Sequence, residues 1–97
     1  MYIHLAIFRW KANVTEAKVK EVLREVCALQ RKIAGIVEIS CAKNLSRYSE
    51  GYTHVVLVRG LNQKAIDAYR NHPDHIALAK RIEVMEEHGI GVDFVTD

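Results

Sequence analysis

Two segments of this chain carry apolar side chains on both faces of a strand pattern, and this feature constrains the fold most. Residues 2–10 and 52–59 are rich in aromatic and branched side chains, as β-strands are. Because side chains alternate across a strand, each segment presents apolar groups to both sides of a sheet. Strands of this kind are typical of the centre of a sheet whose two faces are both covered.

Four further segments complete the pattern. Two of them alternate as strands do, and two have apolar residues three and four apart, as amphipathic helices do. They are the predicted strands 36–43 and 89–95 and the predicted helices 16–32 and 61–84. Asn13 or Thr15 is suited to cap the first helix, and Pro73 interrupts the second. The order β-α-β-β-α-β predicts an α+β, ferredoxin-like antiparallel sheet, in which the first and third strands are central. At 97 residues, we expect a single domain spanning 1–97.

Helices on one face leave the other face of this sheet uncovered. That face carries either His4, Ala6, Phe8, Val56 and Val58 or the residues opposite them. An apolar patch of this size usually marks an interface, and two-fold pairing is the commonest solution. The sequence therefore predicts a homodimer that packs through its sheet faces into an α+β barrel.

Composition excludes several classes of partner. Lys and Arg number 14 and Asp and Glu 12, a net charge of +2 that gives no reason to expect nucleic acid. No apolar run approaches the roughly 18 residues of a membrane span, and the N-terminus does not resemble a signal peptide, so we expect no membrane contact and a cytoplasmic location. Cys27 and Cys41 match no disulfide scaffold or zinc pattern, and we interpret them as reduced, buried thiols, although a single disulfide is possible.

The densest group of chemically useful side chains lies in residues 69–75, Tyr-Arg-Asn-His-Pro-Asp-His. Histidine titrates near neutral pH, and a tyrosine hydroxyl can orient a substrate oxygen. Helix capping and surface polarity are the alternative explanation. A metal site on His72, Asp74 and His75 is a weaker one, because nothing in the pattern supplies a third well-placed ligand, and we expect no metal.

Two more histidines lie in the apolar strands. His4 and His54 must be hydrogen-bonded or hydrated there, and most such residues simply satisfy the core. The first and third strands are neighbours in the predicted sheet, so the two rings could share a surface.

Taken together, these segments resemble the stress-responsive A/B barrel (Dabb) family. The start at residues 3–11, the Gly-Tyr-Thr-His run at 51–54, the Tyr-x-x-His-Pro-x-His run at 69–75 and the closing Val-Asp-Phe at 92–94 match its blocks in order and spacing. The resemblance covers essentially the whole chain and implies a dimeric α+β barrel. Members include stress-associated proteins and a plant polyketide cyclase that closes a ring by aldol condensation without a cofactor.

The resemblance also implies roles for individual residues. His75 would be the general base, Tyr69 would position the substrate, and His4 would lie at the pocket. Where that cyclase has a tyrosine on its first helix, this chain has Val26, which implies a pocket of different shape. The residues expected to contact substrate are Phe8, Val22, Leu23, Val26, Val56, His72 and Leu78.

The sequence leaves three functions open. The first is cofactor-free acid/base chemistry of the cyclase or lyase type on a small carbonyl or polyketide-like compound. The second is a non-catalytic, stress-related dimer that binds or supports other molecules, and its purely structural form predicts no cavity between sheet and helices. The third is cofactor-free, monooxygenase-like chemistry on aromatic compounds.

Overall fold

A computed structural model describes residues 1–97. It contains four strands and three helices, with a short 3-10 helix at Leu29–Lys32. In chain order the elements are β1 (Tyr2–Trp10), α1 (Glu16–Ala28), β2 (Ile36–Lys43), β3 (His54–Gly60), α2 (Gln63–Asn71), α3 (Pro73–Met85) and β4 (Glu86–Val95). None of the helices has the length and apolar character needed to cross a bilayer.

The strands form one antiparallel sheet in the order β2-β3-β1-β4. β1 and β3, the two strands with apolar residues on both faces, are central, which confirms the predicted ferredoxin-like topology. Ala6 pairs with Val56 on one side and with Gly91 on the other. Each such row of paired residues points to one face of the sheet, so the register fixes which side chains meet.

Several predicted boundaries are wrong by a few residues. The helix predicted at 16–32 ends at Ala28 and continues as the 3-10 helix, and the strand predicted from Tyr52 begins at His54. The strand predicted from Gly89 begins at Glu86, because its pairing with β1 continues to Trp10 through a bulge.

Pro73 divides the predicted helix 61–84 into two. The ring cannot continue the hydrogen bonding of α2, but it fits the first turn of α3. His72 lies between the two helices and caps α3, since its Nδ1 accepts from the backbone N–H of Asp74 at 3.1 Å. Thr15 caps α1 in the same way by accepting from the N–H of Lys18.

The helices cover the face that carries His4, Ala6 and Phe8. Packing there buries Val22, Val58 and Ile66 completely. The opposite face carries Ile3, Leu5 and Ile7 of β1 with their partners on β3 and β4. No element of the chain covers that face, and its β4 residues are partly open to solvent, with exposed fractions of 39% for Ile90, 44% for Val92 and 42% for Phe94.

Candidate active site

A cavity of about 390 Å³ lies between the helix-covered face of the sheet and the helices α2 and α3. Its lining includes the small side chain of Ala6, whose neighbour in the sheet is Gly91. A Cβ atom added at Gly91 would meet only the Cε1 atom of His4, at 4.0 Å. The expected site residues that line this cavity are His4, Phe8, Val26, Val56, Tyr69, His75 and Leu78.

Three expected substrate-contacting residues do not line it. Val22 is fully buried in the core between α1 and the sheet. Leu23 lines a different surface cavity on the other side of α1. The His72 ring is engaged in capping α3. The resemblance placed them near the pocket by position along the chain, but the orientation of α1 directs Val22 and Leu23 elsewhere, and capping of α3 engages the His72 ring.

His75 lies on the first turns of α3, and its ring is oriented by the backbone. Its Nδ1 lies 3.1 Å from the carbonyl oxygen of Arg70. A carbonyl oxygen only accepts, so Nδ1 carries the proton and, in the neutral ring, Nε2 keeps its lone pair. Burial, the largest effect, lowers the pKa of His75, although the hydrogen bond to Arg70 acts against it, and His4 lowers it further. The ring is therefore neutral at pH 7 and equipped to take a proton.

Tyr69 packs against His75, with ring centroids 4.4 Å apart. Only 3% of the residue is exposed. Burial raises the pKa of its hydroxyl, so the group stays protonated across the neutral range and acts as a hydrogen-bond donor. The His4 ring lies on the other side of Tyr69, at 6.3 Å between centroids.

His4 belongs to a charged cluster with Asp93 of β4 and Arg70 of α2. The His4 Nδ1 lies 2.6 Å from the Asp93 Oδ1, and the Arg70 Nη2 donates to the Asp93 Oδ2 at 2.6 Å. Tyr2 also donates its hydroxyl to the Asp93 Oδ2 at 3.2 Å. Burial raises the pKa of Asp93, but hydrogen bonds from Arg70 and His4 outweigh it and bring the pKa down to about 2.

Because Asp93 is a carboxylate, the His4 Nδ1 must donate to it. The Arg70 Nη2 lies 3.1 Å from the same nitrogen, and since both groups carry protons this contact is not a hydrogen bond. In the tautomer with the proton on Nδ1, the His4 Nε2 carries the lone pair, as it does in His75. The arrangement gives the cavity two imidazoles of defined tautomer and one phenol donor.

Sequence reasoning missed Arg70, Asp93 and Glu86 as site residues. Arg70 and Glu86 line the cavity, and Asp93 joins it through His4. The alternation of β4 puts Asp93 on the same face as Gly91, and this polar residue at an inward position was the available indication. Burial, followed by the nearby Glu83, raises the pKa of Glu86.

His54 does not join His4. It shares the face, but it pairs with Phe8 whereas His4 pairs with Val58, four residues further along β3. Its Nδ1 accepts from the Trp10 Nε1 at 3.0 Å. No group of three or more His, Cys, Asp and Glu side chains is arranged to hold a metal ion.

The family is decided by a match along nearly the whole chain. The model of the Stress Responsive A/B Barrel Domain family (Dabb) matches residues 3–96. The chain belongs to this family. Olivetolic acid cyclase of Cannabis sativa is similar to it, with 29% identity over 75 residues that cover 75% of this chain and 74% of the cyclase.

Two solved structures carry the same fold as this Dabb protein. A dimeric ferredoxin-like protein of unknown function from Thermobifida fusca is 26% identical, with a TM-score of 0.85 over 98% of this chain and 90% of that one. Hydroxynitrile lyase from Passiflora edulis is 14% identical, with a TM-score of 0.88 over 99% and 93%. These likenesses confirm the expected family and the ferredoxin-like fold.

Proposed function

We propose that this Dabb protein is a homodimer that catalyses cofactor-free acid/base chemistry on a small carbonyl compound, of the cyclase or lyase type. The observation that carries the proposal is the His75 ring, which lies in the cavity with its Nδ1 proton held by a backbone carbonyl. Its neutral Nε2 is the general base. Its substrate is small and partly apolar, in keeping with a cavity of about 390 Å³ in which 9 of the 15 lining residues are hydrophobic.

The reaction begins when the His75 Nε2 takes a proton from the carbon next to the substrate carbonyl. Negative charge then moves to the carbonyl oxygen, and the Tyr69 hydroxyl donates a hydrogen bond to it. His4, oriented by Asp93, accepts a hydrogen bond from a substrate hydroxyl through Nε2. The resulting enolate attacks a second carbonyl in a cyclase, whereas in a lyase the base removes a hydroxyl proton and a carbon–carbon bond breaks.

The dimer covers the open face of the sheet. That face presents Leu5, Leu57 and Val92 in one row across three strands. The dimeric state of the Thermobifida fusca protein supports this assembly. A second copy would bury the apolar rows without touching the cavity, which lies on the opposite face. The single-domain extent 1–97 and the cytoplasmic location stay predictions.

Exchange of carbon-bound hydrogen with solvent tests the chemistry. The protein is incubated in D₂O with a 1,3-diketone, an aryl methyl ketone and, separately, a cyanohydrin, and exchange or cleavage is followed by NMR. We expect turnover of at least one probe and a loss of about 10²–10⁴-fold in H75A. H72A is the matched control, because this histidine caps α3 outside the cavity. Equal rates for H75A and the unchanged protein would refute His75 as the base.

A purely structural dimer is expected to have no cavity between the sheet and the helices. The cavity of about 390 Å³ counts against that alternative. Binding without catalysis is distinguished in the same experiment by a ligand that shifts NMR signals of the cavity residues but is never turned over. Nothing in the site favours monooxygenase-like chemistry, and oxygen uptake with a hydroquinone substrate is its test.

A further inference from the structure

The two cysteines of the chain meet outside the histidine cavity but close to its wall. Cys27 lies on α1 and Cys41 on β2, 14 positions apart, and their Sγ atoms are 2.7 Å from each other. Both are free thiols and both are partly exposed. They are half-buried rather than fully buried, because packing of α1 on β2 brings the side chains together at the edge of the core.

The hydrogen bonds of the pair distinguish the two sulfurs. The Cys41 thiol donates to the carbonyl oxygen of Leu23 at 3.5 Å, and the Cys27 thiol donates to the Cys41 Sγ. Burial, followed by the hydrogen bond with Cys27, raises the pKa of the Cys41 thiol. Cys41 is therefore held in its protonated, less nucleophilic form, which leaves Cys27 as the candidate attacking sulfur.

Cys27 lines two surface cavities, of about 540 and 440 Å³, whereas Cys41 lines only the first. Lys20 and Arg24 line the larger cavity, and neither forms an ion pair, while Lys43 there is paired with Glu16 at 3.0 Å. Cys27 therefore opens to a surface cavity whose lining includes two cations without ion-pair partners.

We propose that Cys27 and Cys41 form a reversible intramolecular disulfide when the protein meets hydrogen peroxide. The Cys27 thiolate attacks one peroxide oxygen, the O–O bond breaks, and hydroxide leaves to become water. The resulting Cys27 sulfenic acid is then attacked by the Cys41 sulfur, which loses its proton as the second water departs. Two thiols and one peroxide thus give one disulfide and two waters, with two electrons passing from sulfur to oxygen.

The bridge would need little movement, since the sulfurs have to approach from 2.7 Å to a bond length of about 2.05 Å. It would tie α1 to β2 next to the histidine cavity. Cys27 follows Val26, and Cys41 pairs in the sheet with Val56, and both of those valines line that cavity. A reduced and an oxidised form would therefore differ at the cavity wall.

Peroxide titration of the whole protein, followed by mass spectrometry, tests this proposal. The unchanged protein should lose two hydrogen masses and both alkylatable thiols, remain free of covalent dimer on a non-reducing gel, and recover both thiols with dithiothreitol. C41S should stop at a Cys27 sulfenic acid that dimedone traps. C27S should react at least about tenfold more slowly, because its remaining thiol is held protonated. Circular dichroism verifies that both variants are folded.

Stepwise oxygen addition to the unchanged protein, or a disulfide between two chains, would overturn the proposal. So would equal peroxide rates for C27S and C41S. Thiol counting on the unchanged protein alone decides the question if a variant fails to fold. None of these readouts depends on carbonyl chemistry. The disulfide proposal and the proposed function can therefore be refuted independently of each other.

Discussion

The two faces of the sheet are built from the same four strands and serve different purposes. The face under the helices buries large aliphatic side chains at α1 and carries two small residues, Ala6 and Gly91, side by side in β1 and β4. The open face has complete rows of branched side chains through Leu5 and Ile7 across β3, β1 and β4, and Arg59 lies at the β3 end of the row through Ile3. One face therefore contains a cavity lined by titratable groups, whereas the other presents an apolar surface without them at its centre.

This difference shows how a short chain provides both a core and a cavity. A small domain has little surface to spare for a ligand, because most of its apolar residues are needed for stability. Here small residues at one edge of the covered face leave room for the cavity. A second copy on the open face would replace the lost burial.

The largest effect is expected on the open face, at Leu5. The L5E substitution puts a carboxylate in the middle of the apolar rows. In a two-fold dimer, each chain contributes one such carboxylate to the interface. If each carboxylate costs about 2 kcal/mol of binding free energy, the dissociation constant of the dimer should rise roughly 10³-fold. Analytical ultracentrifugation over a concentration series measures the change.

A17E is the matched control, since Ala17 is exposed on the outer side of α1 and should leave the dimer intact. Circular dichroism checks that L5E still folds. An unchanged dissociation constant in L5E, or a monomeric parent protein, would show that the apolar rows are not an interface.

On the covered face, a substitution should instead lower the stability of the fold. Ile66 of α2 is fully buried against the sheet, so I66A leaves a cavity that the neighbours fill only in part. We expect the free energy of unfolding to fall by about 2–5 kcal/mol. V84A, at a residue that is 72% exposed, should change it by less than about 0.5 kcal/mol. Urea denaturation of both variants is the measurement, and similar values would contradict the assigned packing.

Much of this architecture was predictable because it depends on periodic patterns. The apolar residues of β1 and β3 fixed the centre of the sheet, and Pro73 fixed the break between α2 and α3. Contacts between distant segments were not predictable in the same way. Asp93 meets His4 only through the register of β4 against β1, and Cys27 meets Cys41 only through the docking of α1 on β2. Local spacing contains no information about either pair.

The same limit explains the errors in the candidate site. A helix turns by roughly 100° at each residue, so neighbours along the chain point to different surroundings. Val26 therefore lines the cavity while Val22 lies in the core and Leu23 faces another surface. The resemblance identifies a segment that lies near the cavity. The orientation of the helix against the sheet determines which side chains of that segment line the cavity.

A smaller effect is expected at the charged end of the cavity. Asp93 has a pKa of about 2 in the folded protein against an ordinary value of 3.8, so the unfolded chain binds the proton more readily. Its contribution to stability is complete above about pH 4 and is lost as the pH falls to about 2. D93N should therefore cost about 1–3 kcal/mol at pH 7 and make stability less dependent on pH in that acid range.

D74N provides the comparison for this experiment. Lys32 lowers the pKa of Asp74 by a hydrogen bond and by its charge, but the pair is half-exposed, and solvent weakens such contacts. Denaturation at several pH values should show a smaller change in D74N than in D93N. The opposite order would mean that the Asp93 cluster does not hold β4 against α2.

The smallest effect is expected where the covered face lacks side chains. Glycine in a strand costs roughly 0.5–1 kcal/mol relative to alanine, and the added Cβ at Gly91 meets only His4, at 4.0 Å. G91A should therefore raise the free energy of unfolding by up to about 1 kcal/mol while it narrows the cavity. At Gly35 the backbone φ is +86° and a Cβ would lie 2.9 Å from that of Ala65. G35A should destabilise by more than about 1 kcal/mol. If thermal unfolding shows that G91A is the more harmful variant, the space above Gly91 is not open, and the origin assigned to the cavity is wrong.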